Sequence, residues 1–231
     1  YAFVLGLNNT LGRITVGDSL TDDPASFTNF GTVGSMSSPR RLSIINEGST
    51  WYVFIANLAN NTVSRIDFGS DLSGSISSST NLGNLGSELN QPFAIEALEL
   101  NGNYYLLVGN HGAKTVKIFD YGNSYSNAPT LINTISAPSG LGNTTSLETI
   151  TLEDELHLVV SGQSNGYVYS LGSSLSNSAV QIHDLGALGT LTSPRDLDVL
   201  YDNGNIYINV MSISGNHYSY RFDEQWNFLG Y

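Results

Sequence analysis

The sequence predicts an all-β fold, a β-propeller of about five four-stranded blades, complete in itself or part of a larger ring. Three observations carry this. A unit of about 50 residues recurs from end to end, which marks a repeat architecture. Each unit contains a run of strict apolar–polar alternation closed by glycine or a substitute. Charged residues make up only 12% of the chain, so surface polarity must come from Asn, Ser, Thr and Gly, residues of turns and strand faces rather than of salt-bridged helices.

The closing glycine sets the frame: Gly17, Gly69, Gly122 and Gly172, with Asp223 in the fifth place. Three residues later stand Leu20, Leu72, Tyr125, Leu175 and Trp226. Before the glycine, one column reads Ile14, Ile66, Phe119, Tyr169, Tyr220 and the next reads Val16, Phe68, Tyr121, Leu171, Phe222. A period of two kept through the copies is a strand with one apolar face. Glycine in the next position suits a turn that needs positive φ.

Upstream lies a more continuously apolar run, Ala2 to Leu5, Tyr52 to Ala56, Tyr104 to Val108, Leu156 to Val160 and Ile206 to Met211. Its β-branched and aromatic content predicts a strand covered on both faces. Short polar links such as Asn8-Asn9-Thr10 and Asn60-Asn61-Thr62 read as hairpin turns to the alternating strand. A third run opens each unit after proline or a stand-in, at Pro39, Pro92, Leu147 and Pro194, and a fourth closes it, as at Phe27 to Gly31, Thr80 to Gly83, Ile132 to Ile135 and Ile182 to Gly186. The units run approximately 1–38, 39–91, 92–145, 146–193 and 194–231. The first begins at its second strand and the last ends inside its fourth, at Phe228 to Tyr231. The chain therefore reads as a propeller segment of a longer polypeptide with flanking domains. A β-sandwich also has many short strands, but it would not repeat them in fours with matched columns.

Composition excludes several functions. The net charge of −12 repels nucleic acid and anionic membranes. There is no cysteine, hence no disulfide framework and no thiolate metal site. No apolar run approaches the length of about 18 residues that a membrane helix needs, which argues against membrane insertion.

The pattern P-x-x-I/L, W/Y-Y-x-F/L-x-x-N, N-N-T-V-x-R-I-x-F-G-x-x-L and T-N-L-G resembles the propeller repeats of very large secreted cell-surface proteins of the Bacteroidota, of the gliding-motility adhesin type exported by type IX secretion. More loosely it is similar to NHL repeats. The resemblance covers the whole chain and is strongest at Trp51 to Leu72 and Tyr104 to Tyr125. It implies an extracellular or cell-surface location and a role in adhesion or display, and it carries over no catalytic residue.

In such a fold the loops at one mouth of the channel take ligands. They would carry Arg40, Arg41, Asn57, Asn110, His111, Lys114, Gln163, Arg195 and His217. The basic members could accept a carboxylate or an anionic glycan, or simply balance local acids; the asparagines serve as turn formers first. Glu96, Glu148, Asp196 and Asp198 on the opening strands invite a glycosidase test, yet their positions do not match between units so as to single out a pair, and solvated lining is the preferred reading. His111, His157, His183 and His217 lack metal-ligand spacing, and His157 reads as a hydrogen-bonded packing residue. Asp18, Asp22 and Asp23 lack the calcium-loop pattern. Asn8, Asn60 and Asn143 match the glycosylation pattern by virtue of Asn-rich turns, and Trp51 and Trp226 read as structural. The sequence thus predicts a non-enzymatic binding or adhesion module without cofactor or metal, facing cell-surface polysaccharide or a partner protein. A lectin and a channel-site glycosidase or lyase are the rivals.

Overall fold

The computed structural model describes the chain except Asp18, Leu20, Thr21, Thr190 and Tyr231. Those positions include one member of the predicted acidic turn, the first member of the leucine column and the last residue of the closing run, which therefore lie outside the described residues.

The fold is a five-bladed β-propeller of antiparallel sheets, as the repeat predicts. The first sheet holds β1 (Ala2–Gly6), β2 (Thr10–Val16) and β3 (Pro24–Gly31). The second holds β4 (Pro39–Glu47), β5 (Thr50–Asn57), β6 (Thr62–Gly69) and β7 (Ser78–Asn81). The third holds β8 (Pro92–Leu100), β9 (Asn103–Asn110), β10 (Thr115–Gly122) and β11 (Thr130–Ser136). The fourth holds β12 (Thr144–Leu152), β13 (Glu155–Gly162), β14 (Gly166–Gly172) and β15 (Val180–Asp184), followed by the short helix α1 (Leu185–Leu188). The fifth holds β16 (Pro194–Asp202), β17 (Asn205–Ser212), β18 (His217–Asp223) and β19 (Phe228–Gly230). The helix replaces the end of the predicted fourth run, because Asp184 accepts from the N–H of Ala187 and so caps a turn of helix.

Two compact units result, Tyr1–Val108 with Asp120–Pro129, and Gly109–Phe119 with Thr130–Tyr231. In the first, Val53, Ile55, Ile66 and Phe68 of the second sheet bury against Leu11 and Met36, with Phe3 and Phe30 packing on Phe68 edge to face. In the second, Val159 and Val168 of the fourth sheet bury against Ile208, Val210, Tyr220 and Phe222 of the fifth. The apolar runs of β5 and β13 are covered on both faces, as predicted. The corresponding β1 is only half-buried, because its sheet contains no strand on the inner side.

A polar contact repeats between successive sheets. The backbone carbonyl of the column residue that follows the closing glycine accepts from the sheet before it. Arg13 donates to Leu72 O and Arg65 to Tyr125 O, Asn133 donates to Leu175 O at 2.9 Å, and His183 Nε2 donates to Trp226 O at 2.7 Å. A buried carbonyl must find a donor, and four different side chains of three chemical types meet that need.

Tyr125 concentrates these forces. It is fully buried, its ring lies 4.7 Å from Phe54 and 5.1 Å from both Tyr104 and Tyr121, and its hydroxyl donates to Tyr105 O at 2.7 Å. Its N–H donates to Glu47 Oε2 at 2.8 Å. Burial pushes the phenol pKa far above the ordinary range. Tyr125→Phe should cost roughly 1–3 kcal/mol through the carbonyls it leaves unmet, and Tyr125→Ala about 3–5 kcal/mol through the cavity. Urea unfolding of the two variants checks both figures.

Candidate functional site

Of the nine predicted mouth residues, Arg40, Asn57, Asn110 and His111 make structural contacts. Asn57 and Asn110 are fully buried and present no surface to a ligand. Asn57 donates to Ser64 Oγ at 2.8 Å and accepts from Ser37 N–H, so it ties its own hairpin to the link into β4. His111 Nδ1 faces Thr144 O at 3.1 Å and must donate to it, while Nε2 lies 3.1 Å from Asn143 Nδ2 and accepts, which fixes a neutral tautomer between two turns. Arg40 is exposed and lies over the Phe93 ring at 5.5 Å, and Arg41 and Arg195 are half-buried. Lys114, Gln163 and His217 are exposed. Arg40, Arg41 and Asn57 belong to the first compact unit and the other six to the second.

Three of the four inner-strand carboxylates share one register place with Ser43, which singles out no pair among them, and Asp196 lies outside it. Ser43, Glu148 and Asp198 lie opposite Phe54, Val159 and Asn209, and Glu96 stands as far beyond Pro92 as Ser43 beyond Pro39. The place has a job. The inner edge of a sheet carries strand N–H groups with no neighbouring strand to receive them, and at two steps the preceding sheet supplies the acceptor. Ser43 Oγ takes Ala97 N–H at 2.9 Å and Glu148 Oε2 takes Val199 N–H at 2.8 Å. Asp198, by contrast, is exposed. With Asp196, Asn209, Met211 and His217 it lines an open cavity of about 550 Å³ on the fifth sheet.

A second cleft lies between the fourth and fifth sheets, at the turns opposite the predicted mouth. Glu153 comes from the β12–β13 turn, Glu155 and His157 from β13, and Glu224, Gln225 and Trp226 from the β18–β19 turn; together with Leu152 they enclose about 260 Å³. An adjoining cavity shares Glu155, His157, Gln225 and Trp226 and extends to His183 and Ser170. His157 is 4% exposed and Trp226 7%, with ring centroids 5.0 Å apart. His157 Nδ1 and Trp226 Nε1 are buried without a hydrogen-bond partner. The Glu155 carboxylate stands 3.9 Å from His157 Nε2.

Both turns depart from the repeat. Equivalent β-turns elsewhere use Asn101-Gly102 and Asn203-Gly204 at positive φ, whereas the cleft turn puts Glu153 at φ 47° and Asp154 at φ 66°. In the fifth unit Asp223 replaces the closing glycine and the left-handed residue becomes Trp226, φ 62°. The Asp223 carboxylate makes that possible by accepting from the N–H groups of Gln225 and Asn227 at 3.1 and 2.8 Å. A bulky residue in the left-handed region costs on the order of 1–3 kcal/mol, and such strain gathers at functional sites. His157 and Trp226 are buried and pack on one another, as their reading as packing residues expects, and the break at Asp223 together with the acidic turn is the sequence signal of the cleft beside them.

Among the described residues no group of three or more His, Asp or Glu is placed to hold a metal ion, and no helix is long and apolar enough to cross a membrane.

No family model and no curated protein matches the chain. Solved structures share its fold. One is an exo-β-1,3-galactanase from Phanerochaete chrysosporium with β-1,3-galactotriose, 14% identical, TM-score 0.59, the match covering 93% of this chain and 51% of that one. Another is a thermostable family-43 glycoside hydrolase, 11% identical, TM-score 0.59, covering 86% and 73%. A third is the lectin SapL1 with α-methyl fucoside, 9% identical, TM-score 0.61, covering 98% and 74%. The chain spans about half the length of the galactanase. What is shared at these identities is the fold. The expectation of a non-enzymatic module is thereby corrected: family-43 glycoside hydrolases use this architecture, so it is an enzyme fold as well as a binding one.

Burial holds the His157 pKa below its ordinary value, with Glu155 opposing in part. The unfolded chain therefore takes up this proton at a higher pH than the folded one, and stability contributed by neutral His157 is lost as pH falls below about 6.5. The melting temperature should fall on acidification through that range, and His157→Phe should flatten the fall in a pH series of thermal melts.

Proposed function

We propose that the chain is a carbohydrate-binding propeller acting outside the cell or at its surface, with the His157–Trp226 cleft as its binding site. The observation that supports this best is the cleft itself. It pairs aromatic walls with carboxylates and unmet ring nitrogens, the mixture of apolar surface and few directed polar groups that small-ligand sites use, and it sits where the repeat is broken at a cost in backbone strain. Carboxylates and imidazole nitrogen accept from sugar hydroxyls, and an indole N–H donates to them. Lectin and glycosidase neighbours share the fold, which is consistent with that chemistry.

A second reading, hydrolysis, has its own support. Asp196 and Asp198 sit two apart on β16, about 6–7 Å along the strand, near the lower end of the separation of about 6.5–9.5 Å that an inverting carboxylate pair requires. Asp196 Oδ1 accepts from Ser146 Oγ at 3.1 Å and Leu197 N–H at 3.0 Å, which fixes its orientation.

The chain has two tryptophans, Trp51 and Trp226, so fluorescence reports on the cleft. In a screen of oligosaccharides, a bound sugar should change the emission of the parent and of Trp51→Phe and leave Trp226→Phe unchanged; a change that survives in Trp226→Phe overturns the assignment. For hydrolysis, reducing-end release from the same sugars should drop at least about 100-fold in Asp198→Asn, and release at an unaltered rate removes that pair from consideration.

A further inference from the structure

We infer that the ligand of the His157–Trp226 cleft is an amino sugar carrying a free ammonium group, an inference that rests on the carbohydrate reading of that cleft. The side chains define a ligand by what each lacks. Glu153, Glu155 and Glu224 contribute three carboxylates to the lining, which contains no Lys or Arg. The Glu155 side chain is 62% exposed, and Glu224 Oε1 accepts from Tyr201 Oη, so these acids meet solvent and a neutral phenol. Their field favours a cation, as does the net charge of −12 on the whole chain.

Charge alone does not complete the fit. With Nε2 directed toward Glu155, neutral His157 offers Nδ1 as an acceptor, while Trp226 Nε1–H is a donor, and neither has a partner in the protein. A buried polar atom left unmet calls for an unseen water or ligand group. An ammonium alone satisfies carboxylates and the imidazole nitrogen, but it cannot accept from the indole. A neutral polyol meets both ring nitrogens but draws nothing from the field of the three carboxylates. A ring bearing hydroxyls and one ammonium meets all of them. The same cleft borders the strained residues Glu153 and Trp226 and adjoins Asp154, also at positive φ. Asn-Gly would make the β12–β13 turn without that strain, as it does at Asn101-Gly102 and Asn203-Gly204, so the acidic pair is retained against a local penalty.

The experiment is calorimetric titration of the full chain with four probes: the glucosamine tetramer, its N-acetylated form, the neutral glucose tetramer, and a linear diamine. The glucosamine tetramer should bind roughly 10-fold or more tighter than the neutral tetramer, the size of one charge-assisted hydrogen bond. Its affinity should weaken several-fold between about 0.05 and 0.5 M salt. Glu155→Gln, altered at an exposed side chain, should remove most of that preference while circular dichroism stays unchanged, and N-acetylation of the ligand should do the same. Equal binding of charged and neutral tetramers overturns the amino-sugar inference and leaves carbohydrate binding standing. Equal binding of the diamine and the glucosamine tetramer overturns it in favour of a plain cation site. If none of the sugars binds, the carbohydrate reading fails with it.

Discussion

The second to fifth sheets of this propeller each depend on a donor from the preceding sheet reaching the carbonyl three residues beyond the closing glycine position. The residue that bears the carbonyl turns its side chain into the core, so its backbone oxygen is drawn out of water and must be met. Arg13, Arg65, Asn133 and His183 meet it at four successive steps. Because the acceptor is backbone, the requirement leaves the donor's identity open. Arginine satisfies it where aromatic faces can receive the guanidinium, as Tyr52 does for Arg65 at 5.3 Å. Asparagine and histidine satisfy it from the outer strands β11 and β15, the latter with its ring 4.8 Å from Phe222.

The inner edge imposes a second demand, and it governs how the acids can be used. Glu148 spends one carboxylate oxygen on Val199 N–H, as the Ser43 hydroxyl is spent on Ala97 N–H. A carboxylate on an opening strand is therefore first a cap for a strand edge, and an acid count along these strands overstates the chemistry available. Asp198 holds the same register place in the fifth sheet and is exposed. That difference leaves the Asp198 carboxylate open to the fifth-sheet cavity.

The framework was legible in the sequence because strand alternation and turn glycines are local requirements that recur through the copies. Gly69, Gly122 and Gly172 take positive φ, as the frame predicts, whereas Gly17 does not and the fifth copy has Asp223 in the place. The Asn-Asn-Thr links were legible as turns, but not their further service: Asn9 Oδ1 and Asn61 Oδ1 accept from Ser38 and Gln91 N–H at 2.7 Å, just ahead of the prolines that open the next units. Those contacts span about 30 residues, so no local pattern announces them. The latch donors were illegible for the same reason, and α1 was hidden inside a run that looked like strand. The inner-strand acids were visible, yet their shared register appears only once the strand pairings are known. Of the mouth residues named from sequence, Asn57 and Asn110 show how a plausible loop asparagine becomes, in three dimensions, an interior tie.

The proposed cleft lies away from the channel-mouth loops at which the sequence places its candidate ligand residues, at turns that break the repeat. The larger break is in the fifth unit, where Asp223 displaces a glycine and passes the left-handed conformation on to Trp226. Histidine and tryptophan within apolar strands and columns look like filling, and most of their surface here is filling. What distinguishes them is a deficit: ring nitrogens shut away from water without a partner, beside a turn whose acidic residues sit in a conformation that glycine would adopt freely. Such features each oppose folding locally. They persist together on a frame that the carbonyl latch already holds, His183 binding the very residue, Trp226, whose backbone is strained. The latch thus stabilises the departure it makes room for: the turn that strains Trp226 is anchored by a contact that recurs between successive sheets.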